Sequence, residues 1–272
     1  MLKMLTFHKK RHEIFEVIVF ICTFVATKQA SLYFLVETCR FRAAFFYYIM
    51  PKRVTFYIDG FNFYYGLRRI RKGNPVWGKY YWIDMVKLCK SFLGEDQELM
   101  KVIYFTATPL SPSKSSRQSA FLNANKLING EKFEIVRGKY FTKTFDCPHC
   151  NGSIPRPEEK RTDVNISVRM MGDCFLDNTD TLVLVSADSD LVPPLEFIQR
   201  YFKNKKLKVY FPPSDSCRDL SDNLKRHGGK PSLMEKNEAR FREAIMPDKV
   251  SVGTSVNYEI PEKWKKFSIV TI

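Results

Sequence analysis

No apolar run in the 272-residue chain reaches the roughly 20 residues that a membrane-spanning helix needs. The run Ile14 to Ala26 contains Glu16 and is closed by Lys28 and Gln29, so no stable membrane span is expected. It follows the basic cluster Lys9, Lys10, Arg11 in the order of a signal peptide, but no small-x-small cleavage site comes after it. The 12 glycines and 14 prolines show no period, which excludes collagen-like sequence and solenoid repeats. Seven cysteines, odd in number and irregularly spaced, do not form a disulfide framework, so a reducing, cytoplasmic compartment is expected. Cys147-Pro148-His149-Cys150 has the spacing of half a zinc knuckle, but no second CxxC exists. A closed zinc site would have to recruit His149, Cys174, Cys217 or a partner chain, and the other reading of Cys147 and Cys150 is a reduced, exposed thiol pair.

What the chain does have is a globular balance, 44% hydrophobic and 27% charged, with a formal net charge of +15. The first 49 residues hold seven Lys or Arg and three Asp or Glu, which leaves +11 of that charge on the remainder. Such a field draws polyanions, nucleic acid among them. Met50 is followed at once by Pro51-Lys52-Arg53 and a strand. Residues 1–49 are therefore read as an N-terminal extension outside the domain, with a peripheral amphipathic segment as the competing reading. The domain is expected over 50–230, with 231–272 as a tail packed on it.

From Arg53 onward, short β-rich runs alternate with helical patterns, the rhythm of βαβ units in a doubly wound, mainly parallel sheet. The runs are Val54 to Ile58, Lys101 to Thr106, Phe133 to Val136 with Tyr140 to Thr142, Thr181 to Ser186, and Leu207 to Phe211. Helices are expected at Ser115 to Ile128 and at Thr162 to Leu176. In the second, Val164, Val168, Met171 and Phe175 share one face.

In such a sheet, ligands bind beyond the carboxyl ends of the strands. Asp59 stands at the end of the first run with Asn62 close behind, and Asp188 and Asp190 follow the central run Thr181 to Ser186. Asp163 lies in the first turn of the Thr162 helix, where the dipole favours a negative group. Each Asp alone is an ordinary turn former or cap. Together, three segments deliver four carboxylates to one rim, and crowded carboxylates call for a hard cation such as Mg²⁺ or Mn²⁺.

Three motifs in this order, Tyr57-Ile-Asp-Gly-Phe-Asn62, Glu159-Lys-Arg-Thr-Asp-Val-Asn-Ile166 and Leu184-Val-Ser-Ala-Asp-Ser-Asp190, resemble the NYN domain. This is a PIN-like branch of metal-dependent nucleases that includes the LabA-like proteins. The resemblance covers roughly Lys52 to Arg226 and implies that Asp59, Asp163, Asp188 and Asp190 fall on the family's acidic positions and Asn62 on its supporting polar one. Where the family most often has Gly, this chain has Ala187. The implied function is a metal-dependent ribonuclease. Metal ions held by these residues would activate a water against a phosphodiester and leave 5′-phosphate and 3′-hydroxyl ends. RNA, single-stranded in preference, would be gripped by Arg68, Arg69, Arg71 and Lys72, with bases stacking on Tyr64 and Tyr65. The alternative is a non-catalytic nucleic-acid binding or assembly protein of the same fold, possible as a homo-oligomer.

Overall fold

A computed structural model describes residues 51–146, 152–252 and 256–268. The Cys147/Cys150 pair and residues 1–49 lie outside the described residues. The first strand, β1 (Lys52–Asp59), is built from Val54, Thr55, Phe56, Tyr57 and Ile58, β-branched and aromatic side chains buried on both faces. That pattern suits the middle of a parallel sheet. Its neighbours are β2 (Gln97–Thr106) on one side and β6 (Thr181–Val185) on the other, both parallel to it. With β3 (Phe133–Arg137), β7 (Lys206–Phe211) and the short β8 (Ser232–Leu233), they form a six-stranded parallel sheet of order β3-β2-β1-β6-β7-β8.

The chain thus steps outward from β1 to β3, returns to insert β6 beside β1, and steps outward again. The point of reversal lies between β1 and β6, and the carboxyl ends of these two strands flank the crevice where ligands of doubly wound sheets bind.

Strand alternation sorts the core into two layers. Phe56, Ile58, Val183 and Val185 face Phe63, Trp82, Phe241 and Trp264. Tyr57, Ile103, Leu182 and Leu184 face Ile166 and Leu195. Fully burying each such side chain contributes about 1.5–3 kcal/mol. On the first layer lie α1 (Gly60–Gly73), a 3₁₀ segment (Pro75–Tyr81), α2 (Met85–Ser91) and α3 (Pro112–Asn129). On the second lie α4 (Thr162–Phe175), α5 (Val192–Tyr201) and α6 (Arg218–Arg226). After β8 come α7 (Glu238–Glu243), the hairpin β9 (Lys249–Val252)/β10 (Val256–Glu259) and α8 (Glu262–Ser268), which return Phe241, Val250 and Trp264 to the first layer.

Two expectations are corrected. Tyr140 to Thr142 does not extend the sheet strand Phe133 to Val136. It belongs to β4 (Lys139–Asp146), which pairs antiparallel with β5 (Ser153–Lys160) in a separate two-stranded ribbon. The break is at Gly138, where an added Cβ would stand 2.8 Å from Glu159 Oε1, from Lys160 O and from Thr162 Oγ1. Only glycine lets the chain leave the sheet there.

The second correction concerns α4. It forms where expected, but Val164, Val168 and Phe175 are 64%, 60% and 68% exposed. The buried side carries Ile166, Met170, Cys174 and, among them, Asp173. Asp173 is tolerated inside because it accepts hydrogen bonds from Tyr57 Oη (2.8 Å), Arg169 Nε (3.0 Å) and Asn178 Nδ2 (3.0 Å).

Candidate metal centre and nucleic-acid interface

Asp59 is both the last residue of β1 and the N-cap of α1. Its Oδ1 accepts the amides of Phe61 and Asn62, each at 3.0 Å. Its Oδ2 accepts the Ser186 hydroxyl at 2.9 Å and the Asn62 side-chain amide. The turn is as tight as it is because residue 60 is glycine: a Cβ there would meet Tyr104 Cε1 at 2.4 Å and Phe105 O at 2.6 Å. Across the β1/β6 seam, Ser186 Oγ also accepts the Asp188 amide at 3.1 Å, and Asp188 in turn caps the short 3₁₀ turn Ser189–Leu191 through the Asp190 amide at 3.0 Å. Asp163 comes from the first turn of α4, entered through Arg161 in the left-handed region at φ 80°.

Asp59, Asp163 and Asp188 each offer a carboxylate oxygen within 4.8 Å of the others. Burial pushes the Asp59 carboxyl above its usual range, opposed by its hydrogen bonds from Asn62 and Ser186. Burial, followed by the charges of Asp188, Asp59, Glu159 and Asp190, pushes Asp163 up to about 6. Asp190 is exposed and stands outside the group of three, near enough for its charge to act on Asp163. Glu159, a member of the second motif to which sequence reasoning gave no role, adds negative charge from the ribbon and is held by the Thr162 hydroxyl.

The cations expected to grip a strand divide. Arg68 is exposed, with its guanidinium 6.0 Å from the Tyr65 ring. Lys72 is exposed at the end of α1. Arg69 pairs with Asp215 and donates to Ser214 O at 3.2 Å, tying α1 to the loop after β7. Arg71 lies over the Phe267 ring at 4.5 Å and the Tyr81 ring at 5.7 Å, a contact that pins α8.

The family model of the NYN domain matches residues 53–226, a stretch that runs from β1 through all three acidic segments to the end of α6. The chain belongs to the NYN domain family. Its NYN domain has a PIN-like fold. A curated relative, 6-hydroxy-3-succinoylpyridine 3-monooxygenase HspA of Pseudomonas putida (strain DSM 28022 / S16), is 27% identical over 207 residues. That match covers 64% of this chain and 64% of HspA, so the chain spans a little under two thirds of that relative's length. A crystal structure of a protein of unknown function from Vibrio parahaemolyticus RIMD 2210633 matches with a TM-score of 0.44 at 19% identity, covering 67% of this chain and 92% of that one.

The acidic cluster of the NYN domain fits a hard divalent cation. Its donors are all carboxylate oxygens, and the burial and mutual repulsion that together raise Asp163 are what such an ion offsets. Among the described residues no helix is long and apolar enough to cross a membrane.

Beside the cluster the domain holds a cavity of about 500 Å³, which sequence reasoning missed. Gly60 and Phe61, the residues after Asp59, line it, together with aromatic side chains from the 3₁₀ segment, β2, α3, β4 and α8. These residues lie between positions 60 and 264, so no local motif announces them.

Proposed function

We propose that the protein is a metal-dependent ribonuclease that hydrolyses RNA phosphodiesters at the Asp59, Asp163, Asp188 cluster. The observation that supports this reading is the convergence of three carboxylates from three separate segments at the switch point of the sheet, in a chain of net charge +15. Mg²⁺ or Mn²⁺, when bound, supplies the positive charge that phosphodiester hydrolysis requires at the phosphorus and the leaving oxygen. The chain's own part is to hold and orient. Asp59 is fixed by four hydrogen bonds, two of them from Asn62, so its carboxylate cannot swing away from the crevice. Asp188 is held through Ser186, and Asp163 is presented by the first turn of α4. Asp190 adds negative charge at the rim. Arg68 and Lys72, with Tyr64 and Tyr65, offer the strand cationic and stacking contacts, whereas Arg69 and Arg71 act through the architecture of α1. Cytoplasmic RNA, single-stranded in preference, is the substrate in this reading.

Incubation of the purified protein with labelled single-stranded and structured RNA tests it. Cleavage with Mg²⁺ or Mn²⁺, abolished by EDTA and by Asp59→Asn, is expected. RNA binding without cleavage under every metal condition would transfer the reading to the non-catalytic alternative.

One observation favours a second reading. The aromatic cavity adjoins the acidic cluster, and the relative HspA carries the name of a monooxygenase of a substituted pyridine. A chain acting on a small heteroaromatic compound would use that cavity and leave RNA intact.

A further inference from the structure

We propose that the cavity beside the acidic cluster receives one unstacked nucleobase of the bound strand, with the adjoining phosphate held at its mouth by Arg68, Lys114 and Arg117. The identity of the ligand as a nucleotide rests on the ribonuclease reading.

Protein interiors pack with few voids larger than a water molecule, whereas this space of about 500 Å³ falls within the range of small-molecule sites. Its lining includes the aromatic side chains of Tyr64, Tyr81, Tyr104, Phe121, Tyr140 and Trp264. Stacked and edge-on rings favour a flat, polarisable guest over a flexible aliphatic one. The wall is rigid: Tyr81 stacks on Trp264 at 5.5 Å and 21°, Tyr104 meets Phe121 edge-on at 5.8 Å, and the Tyr104 hydroxyl donates to Gly60 O at 3.3 Å. The wall also carries free polar atoms. The hydroxyls of Tyr64 and Tyr81 have no hydrogen-bond partner among the described residues, so a guest with ring nitrogens and exocyclic groups can engage them.

Charge identifies the rest of the guest. Arg68, Lys114 and Arg117 line the cavity, and none forms an ion pair among the described residues. Cations left uncompensated beside an aromatic cavity select a planar ring that bears an anion, which describes a nucleotide. Gly60 and Phe61, which line the cavity, follow Asp59 directly in the chain, so a base seated there has the acidic cluster beside it. The site thereby serves as a positioning device that selects an unpaired residue: a base held in a helix cannot turn its face into an aromatic slot.

The test is calorimetric titration of the full chain in EDTA with AMP, adenosine, ribose 5-phosphate and nicotinate. AMP is expected to bind at least about tenfold more tightly than either adenosine or ribose 5-phosphate, since each lacks half of the recognised group. Ser111→Trp, which puts an indole into the cavity from its wall, and the double variant Lys114→Ala/Arg117→Ala, which removes an exposed and a half-buried cation, are each expected to weaken AMP at least tenfold. A circular-dichroism melt shows that each variant is folded. Equal affinity for ribose 5-phosphate and AMP, or AMP binding undiminished in both variants, would overturn the proposal. So would binding of nicotinate with none of AMP, which would assign the cavity to a small heteroaromatic carboxylate. Because the titration needs neither metal nor turnover, AMP binding without RNA cleavage removes the ribonuclease reading and keeps the cavity, and cleavage without AMP binding does the reverse.

Discussion

The hydroxyl of Ser186 donates to Asp59 Oδ2 at 2.9 Å while its oxygen accepts the Asp188 amide at 3.1 Å, so one serine clamps two carboxylate segments across the β1/β6 seam. Ser186→Ala takes a hydrogen bond from the buried Asp59 and another from the half-buried Asp188 amide. We expect a stability loss of about 1–3 kcal/mol by denaturant titration. RNA cleavage should fall at least tenfold, because the relative position of Asp59 and Asp188 is no longer fixed. Unaltered cleavage would show that the clamp is dispensable.

Asp59→Asn removes the charge and keeps the shape. Metal-dependent cleavage should be lost while the protein stays folded and binds RNA as well as before or better, since one negative charge has left the phosphate path. The Asn amide nitrogen cannot accept the bonds that Oδ2 takes from Asn62 and Ser186, which offsets the relief of repulsion, so the metal-free variant should stay cooperatively folded in a thermal melt without gaining stability. Cleavage at the wild-type rate by the pure variant would dissociate the cluster from catalysis.

The Asp163 carboxyl, raised from its ordinary 3.8 to about 6 by burial and by the acidic neighbours, gives a pH dependence of definite sign. Between those two values the folded chain holds a proton that the unfolded chain releases, so stability of the metal-free protein rises as pH falls from above 6 towards 4. Above 6 the ionised group burdens the fold. Asp163→Asn should therefore stabilise the metal-free protein at neutral pH by about 1 kcal/mol after allowance for solvent screening, and should flatten that part of the profile. Divalent-metal affinity should weaken as pH drops through the same window, because proton and cation compete for one carboxylate. Thermal melts across pH with and without Mn²⁺ measure both effects.

Glu134 behaves in the opposite way. The Arg169 guanidinium engages it at 2.5 and 3.1 Å and Lys101 at 2.9 Å, and these partners hold its carboxyl down at about 2. Its stabilising contribution is complete above its ordinary 4.5 and disappears as pH falls towards 2. Glu134→Gln should cost about 1 kcal/mol at pH 7. The difference from wild type should close in acid. A gap that persists at the lowest pH would assign the effect to packing.

Arg68→Ala and Arg71→Ala separate binding from architecture. Arg68 has no carboxylate partner among the described residues, so its loss should weaken RNA binding and reduce the log–log salt slope by about 0.7. Arg71 stacks on Phe267 and Tyr81, so its loss should lower stability by about 1 kcal/mol and leave the slope unchanged. Equal slopes for both variants would contradict this division.

The sheet and the acidic cluster were legible in the sequence because each depends on short-range chemistry: a continuous apolar strand, then an Asp at its end. Thr181 to Val185 and Asp188 are the clearest case. The exposed face of α4 was not legible, since Asp173, a buried carboxylate satisfied by Tyr57 and Arg169, breaks the apolar count on the side that packs. Nor was the fate of Arg69 and Arg71, whose partners Asp215 and Phe267 lie far along the chain. The cavity escaped notice for the same reason: Tyr64, Phe121 and Trp264 become neighbours only after the sheet has brought their elements together.

The strand order has a consequence for the nascent chain. β1 gains β2 and β3 soon after synthesis, but its other edge waits for β6, more than a hundred residues later. During that interval Val54 to Ile58 present open amides and carbonyls along an apolar strand, the arrangement that recruits foreign strands. A ribosome stalled between α4 and β6 would hold a half-sheet with a sticky edge and Asp59 without its partner Asp188. Premature termination there should yield aggregates that fail to bind divalent metal, whereas a chain released after β7 has β1 paired on both sides.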